Sequence, residues 1–414
     1  MKKLRNLLLT LCFVLLMTAA SAVTVFAAST DPVTIPDNHL RSALLTKLNK
    51  AEDDVITEGD MASFEILEIP NSSIVSLKGL EYCTSLRLLD LTNNKVNGID
   101  ALKNLTELRY AKLGNNRIVT VPDLSNLKEL SSLYLDNNAL TSIDGIHDMP
   151  RLSTLLLSYN SLKSLAKLNN LPSLMCLQAS HNQISDISSL SQFKNLFVLE
   201  LYNNNISDIS PLASLYNLDE YLDLSHNNIS DLNPLKPLTN LTFLNLSYNN
   251  ISNLDGLKDL HKLEILLLQY NHIVDDYPKV LHMQRLNSLD LSHNNIWDAT
   301  KFEGASKLIT YMKLNNQSVS LASGYSTSDA SYSYGDNKWH YVFTMVNPLP
   351  LIDSSCIYNY PRNYSLYYKQ NGNLCLSSPC IAAANVNFQY DFSKVITVGS
   401  TTATFSGHYR NTSI

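Results

Sequence analysis

An α/β repeat solenoid wound around a parallel sheet is predicted by three features: a fixed period, a fixed phrase inside that period, and a change of residue usage at both ends of the array. Ten asparagines, Asn94, Asn116, Asn138, Asn160, Asn182, Asn204, Asn227, Asn249, Asn271 and Asn294, stand 22 residues apart, with 23 at three steps when Gln317 is counted as the closing member. Each closes the phrase LxxLxLxxN, as in Leu86, Leu89, Leu91 and Asn94, or Leu241, Leu244, Leu246 and Asn249. A period of this length marks units that cannot bury an apolar face alone and must stack.

Alternation turns Leu89 and Leu91 to one face of a short strand and Asp90 to the other. Stacking buries a continuous leucine column and pairs each strand with the next in parallel, so stability is roughly a sum of nearest-neighbour terms. The asparagine amide offers donors and an acceptor to the turn after each strand, where backbone polar groups leave the ladder. A second apolar pair in each coil, such as Ile206 and Ile209 or Ile229 and Leu232, fills the rest of the core. This is the wording of a leucine-rich repeat, and it predicts a right-handed solenoid with a parallel concave sheet over residues 63–317. About twelve coils are expected. A degenerate one opens the array (Phe64, Leu67, Ile69, with Ser72 in the asparagine position) and Leu308, Met312, Leu314 and Gln317 close it.

The ends follow other rules. Residues 1–27 read as a signal peptide: Lys2, Lys3 and Arg5 lead an apolar run from Leu7 to Met17, then small residues to Ala22 or Ala27. Residues 28–62 are expected to form a helical cap over the first coil's leucines. Leu40, Leu44 and Leu48 have helical spacing after a Pro36-Asp37 start, and Thr57 N-caps a second short helix to Ala62. The acids Glu52, Asp53, Asp54, Glu58 and Asp60 lack the register of a calcium loop, so they read as a solvated linker, with calcium as the alternative. Over residues 318–414 leucine thins out. Alternating runs such as Trp339, Tyr341, Phe343 and Phe388, Tyr390, Phe392 predict a C-terminal all-β domain of sandwich size, placed to close the last coil.

Removing the leader takes the formal charge from −6 to −9. That balance argues against nucleic acid, and no second long apolar stretch predicts a transmembrane segment. Without Cys12, five cysteines remain. Cys83 reads as a buried thiol, while Cys356, Cys375 and Cys380 leave open one disulfide or, with no histidine among them, a less suitable metal site. Catalysis is not expected. His181, His226 and His293 lie on separate coils, the nearest two roughly 10 Å apart at strand spacing, and the adjacent serines have no orienting acid or oxyanion hole. No cofactor is expected.

Candidate binding residues come from the columns that face outward. The central strand column includes Tyr134, Leu156 and Leu267, and the one before it includes Tyr110, Tyr221, Phe243 and Ile265. The rim position before each ladder asparagine is Asn93, Asn115 and Asn137 at first, then Tyr159, His181, Asn203, His226, Tyr248, Tyr270 and His293, with Tyr202 beside it. An exposed band of aromatic and imidazole groups with apolar neighbours marks an interface. The alternative is that these rings lie flat on neighbouring coils as ordinary repeat wording.

The short helical cap, the wording Asn-Asn-Ile-Ser-Asp-Ile at Asn204–Ile209, the coil ending Leu314-Asn315-Asn316-Gln317, and the terminal stretch from Tyr390-Asp391-Phe392 to Val398-Gly399-Ser400 and on to Gly407 resemble the internalins, exported leucine-rich repeat proteins of Gram-positive bacteria. The resemblance implies a receptor-binding surface between a helical cap and an immunoglobulin-like (Ig-like) domain. The chain ends Arg410-Asn411-Thr412-Ser413-Ile414 with no LPxTG sorting signal, so the freely secreted subset is the expectation. A secreted module that binds a host or environmental protein on its concave face is the leading functional reading. The alternative is a cell-envelope or polysaccharide-binding protein acting through its terminal β domain.

Overall fold

A computed structural model describes residues 29–296 in full and, beyond them, only the backbone of strand segments between Tyr311 and Arg410. Two compact units divide the chain at Leu196 and Phe197.

In the first unit, helix α1 (Asn38–Lys47) starts where Asp37 accepts the amides of His39 and Leu40, at 3.0 Å each. The second oxygen of Asp37 accepts the amides of Val75 and Ser76 at 2.7 and 3.0 Å, tying the helix start to the first coil. Helix α2 (Glu58–Ala62) carries a capping box: Thr57 accepts from Asp60, and Asp60 accepts from Thr57. Asp60 also pairs with Lys50, so this member of the acidic cluster is held within the helix pair. Burial pushes the Asp37 and Asp60 carboxyls up, but their hydrogen bonds, to backbone amides for Asp37 and to Lys50 and Thr57 for Asp60, outweigh it and hold both below the usual 3.8.

Strands β1 (Ile66–Glu68), β2 (Leu88–Asp90), β3 (Tyr110–Lys112), β4 (Ser132–Tyr134), β5 (Thr154–Leu156) and β6 (Cys176–Gln178) follow, each pairing in parallel with the next. The register is constant, with Leu67, Leu89, Ala111, Leu133, Leu155 and Leu177 aligned and fully or almost fully buried. Cys83 is a buried free thiol, pushed up to about 12 by burial and then by Glu81. The second unit continues with β7 (Val198–Glu200), β8 (Tyr221–Asp223), β9 (Phe243–Asn245), β10 (Ile265–Leu267) and β11 (Ser288–Asp290), again parallel and in register. Strand β12 (Tyr311–Ser320) pairs with β11, and Gln389–Val398 pairs antiparallel with Thr401–Arg410. The expected signal peptide, the start of the closing coil at Leu308, Cys356, Cys380 and the side chains of the expected Ig-like domain lie outside the described residues.

Nine of the ladder asparagines staple two coils. Asn249 Oδ1 accepts the amide of Ile229 at 2.9 Å, and its Nδ2 donates to Leu224 O at 3.0 Å and Leu246 O at 3.1 Å. Asn116, Asn138, Asn160, Asn182, Asn227, Asn271 and Asn294 repeat this set one coil apart. Asn94 Oδ1 accepts one amide more, from Ser72 as well as Ile74, in the coil that has serine in its own ladder position. The coils pack closely opposite the strands too. A Cβ on Gly256 would fall 2.0 Å from Leu232 O.

Two outcomes follow. Asn249→Ala leaves a buried amide and two carbonyls without partners, at about 1–3 kcal/mol for each such group; urea unfolding should show a loss of about 3 kcal/mol or more, and a loss below 1 kcal/mol would refute the stapling role. For Asp37 and Asp60, lowered folded values mean that their contribution is complete above the unfolded value of 3.8 and disappears as pH falls through the lower folded values. Hydrogen exchange of α1 and α2 should therefore lose protection below pH ~4, and Asp37→Asn should flatten that dependence.

Candidate functional site

The rim position is set by backbone geometry before any side chain is considered. Asn93, Asn115, Asn137, Tyr159, His181, Asn203, His226, Tyr248, Tyr270 and His293 all have φ between 52° and 60°. This left-handed region costs an ordinary L residue roughly 1–2 kcal/mol, and asparagine tolerates it through its short polar side chain. The conformation is needed because the rim amide still pairs with the next coil: His226 N donates to Ser247 O at 2.8 Å and Tyr248 N to Gln269 O at 2.9 Å. Asparagine is thus the easy residue here, and tyrosine is a costly one.

What offsets the cost is contact between rings. In the second unit His226, Tyr248, Tyr270 and His293 form one continuous stack, with centroids 4.0, 4.0 and 3.9 Å apart and planes within 13°. In the first unit Tyr159 and His181 stack at 4.1 Å. The rings are packed flat on one another and also open to solvent: Tyr248 and Tyr270 are each 39 % exposed and Tyr159 48 %. The repeat stacks the rings, and the stack stays on the surface. Faces are consumed within the column, so edges, hydroxyls and ring nitrogens are what it presents. Burial, and then the hydroxyl of Tyr270, push the Tyr248 phenol up, keeping it neutral.

A second stack runs along the strands. Tyr221 and Phe243, neighbours in register on β8 and β9, lie 4.3 Å apart, and Ile265 follows on β10. All three are half-buried, as are Leu267, Tyr202, Tyr110 and Tyr134. Leu156 departs from expectation: it is buried and offers almost no surface. Its register neighbours Tyr134 and Gln178 are longer and stand on either side of it. The predicted residues thus fall into the Tyr159–His181 pair and the half-buried strand tyrosines Tyr110 and Tyr134 in the first unit, and two adjoining columns in the second.

Sequence reasoning passed over the carboxylates on the same face. Glu200, Asp223 and Asp290 hold outward strand positions yet are all buried. Asp223 Oδ1 accepts the amide and hydroxyl of Ser225 at 2.9 and 2.6 Å, and Oδ2 accepts Asn245 Nδ2 at 3.1 Å. Burial pushes the Asp223 carboxyl up, against these bonds. Tyr221 is pushed up as well, by burial and then by Asp223 and Glu200. The signal available in the sequence was an acid repeated in the central strand column with serine two residues later. Among the described residues no group of three metal-ligating side chains comes together, and no helix is long and apolar enough to cross a membrane.

The sequence description Leucine Rich repeats (2 copies) matches residues 173–214, 194–237 and 220–259. The fold is a leucine-rich repeat solenoid. Among solved structures it is similar to an internalin of Listeria monocytogenes, with 27 % identity, 70 % of this chain and 100 % of that one covered, and a TM-score of 0.52. The functional domain of InlJ from the same organism, which includes a cysteine ladder, matches in fold at 20 % identity over 93 % of this chain and 100 % of that one, with a TM-score of 0.51. The LRIM1/APL1C complex aligns at 25 % identity over 63 % of this chain and 49 % of that one, with a TM-score of 0.54. No curated protein matches the sequence. The chain is internalin-like in its repeats and its fold.

The rim geometry separates two substitutions at one position. Tyr248→Ala keeps the left-handed residue but removes both ring contacts, each worth about 0.5–1.5 kcal/mol. It should cost about 1–3 kcal/mol in chemical denaturation. Tyr248→Asn loses the same contacts but relieves the backbone, so it should stay within about 1 kcal/mol of the parent. Equal losses for the two variants would disprove the offset between backbone strain and stacking.

Proposed function

We propose that this chain is an exported binding module that holds a protein partner against the strand face of its second unit, and that it performs no catalysis. The observation that carries this reading is the exposed ring column His226–Tyr248–Tyr270–His293 beside Tyr221 and Phe243. Large aromatic side chains, locked in position before contact, lose little entropy on binding and are the usual anchors of protein interfaces. Leucine-rich repeat proteins, internalins among them, generally act as protein-binding modules, and the repeat wording and the likeness to an internalin support the same reading. The partner, a host or environmental protein, would meet ring edges, phenol hydroxyls and imidazole nitrogens. A polysaccharide is less suited to this column, because sugars pack on ring faces and the interior faces are occupied by neighbouring rings.

Tyr248→Asn with Tyr270→Asn leaves asparagine in its preferred conformation and removes the centre of the column. Against an array of purified extracellular protein domains, the parent should capture a partner that the double variant loses by at least about tenfold, with unchanged urea unfolding. Capture by both forms alike, or capture of envelope polysaccharide alone, would move the function away from this face.

A further inference from the structure

The strand face of the second unit is not only aromatic; its charged groups are all acidic. Taking the two outward positions of β7 to β11 and the residue just ahead of each strand, the charged side chains are Glu200, Glu220, Asp223, Glu264 and Asp290, with no lysine or arginine. The first unit is built differently: there Arg87 pairs with Glu65 and Lys112 with Asp90 across neighbouring coils. Asp290 has Lys313 beside it in register on β12. Asp223 has no such neighbour on β7 or β9, and none of the ion pairs among the described residues reaches it, although it is 93 % buried.

A second group points to the same chemistry independently. The side-chain carbonyl of Gln269, two strands further along and next to Tyr270 in the ring column, is buried and accepts no hydrogen bond. In the flanking coils this position is serine, and Ser225, Ser247 and Ser292 each donate to the side chain two residues earlier. Gln269 instead follows Leu267, which has nothing to accept a bond. Burying an acceptor without a donor is unfavourable, a deficit that a ligand carrying N–H groups can remove.

We infer that the partner of this face presents a basic, arginine- or lysine-bearing segment, which lies across β8 to β11 between the ring column and the Tyr221–Phe243 pair and donates to Asp223 and Gln269. The inference rests on the protein-binding reading above and adds the chemistry of what is bound. Guanidinium suits the site because its plane stacks against aromatic rings while its fork of N–H groups reaches a carboxylate. Charge complementarity of this kind sets register and partner choice, with an association rate that falls with salt.

The experiment selects binders for the full chain from a random dodecamer peptide library and measures affinity by fluorescence polarisation. The comparison forms are Asp223→Asn, Gln269→Leu and Tyr248→Asn. Selected peptides should be enriched in arginine or lysine. Replacing those arginines by neutral citrulline, or Asp223 by Asn, should each weaken binding about tenfold or more. Gln269→Leu removes the buried acceptor without leaving another, so the protein stays folded and should bind about threefold or more weakly. Peptides lost with Tyr248→Asn but not enriched in basic residues would overturn this inference and leave the proposed function standing. Basic peptides that bind Asp223→Asn as well as the parent reflect diffuse attraction only and would also overturn it. Peptides indifferent to Tyr248 and Asp223 alike would overturn both.

Discussion

Everything in the array depends on how one asparagine amide closes the turn after each strand. Its oxygen takes the amide of the preceding coil, and its nitrogen gives to carbonyls of both coils. The chain can bring that amide into place only by reversing direction one residue earlier, and the reversal is the left-handed rim residue. The ladder and the rim are thus one device. The buried staple fixes the coil spacing, and the spacing then places rim side chains in van der Waals contact at about 4 Å.

The consequence is a division of labour within each coil. Leucine positions carry the core, with almost every one fully buried, and tolerate little change. Outward positions carry surface chemistry on a frame that is already rigid. The second unit places three kinds of group side by side on that frame: a ring column, a half-buried aromatic pair, and carboxylates sunk between them. A carboxylate buried without a cation is a poor way to stabilise a fold. Its presence in a repeat that accepts Asn245 or Leu267 in the same column shows that the scaffold does not require it.

The periodic parts of this arrangement were legible in the sequence. Leu89 with Leu91 specified strand and face, Asn94 and its successors specified the polar closure of each turn, and Thr57 specified a helix start, because each is a local rule. The alignment of His226, Tyr248, Tyr270 and His293 followed from counting alone. The face-to-face contact between them did not, since it depends on the sign of φ at the rim, which a residue name does not state. Leu156 failed for a related reason: its exposure is decided by Tyr134 and Gln178, residues 22 away in the chain and adjacent in the sheet. The acids were visible as letters and were passed over, because burial at an outward position cannot be deduced from alternation.

The left-handed rim also bears on how such a protein could acquire a new ligand. A change at the rim acts on one backbone well and the neighbouring rings, a matter of about 1–2 kcal/mol against a fold held by summed coil interfaces. Asparagine is the resting choice, and each aromatic replacement gains a neighbour when the next coil is altered in the same way. Recognition can therefore spread along the array one coil at a time, each step nearly neutral for folding, which makes this column the most readily evolvable surface of the molecule.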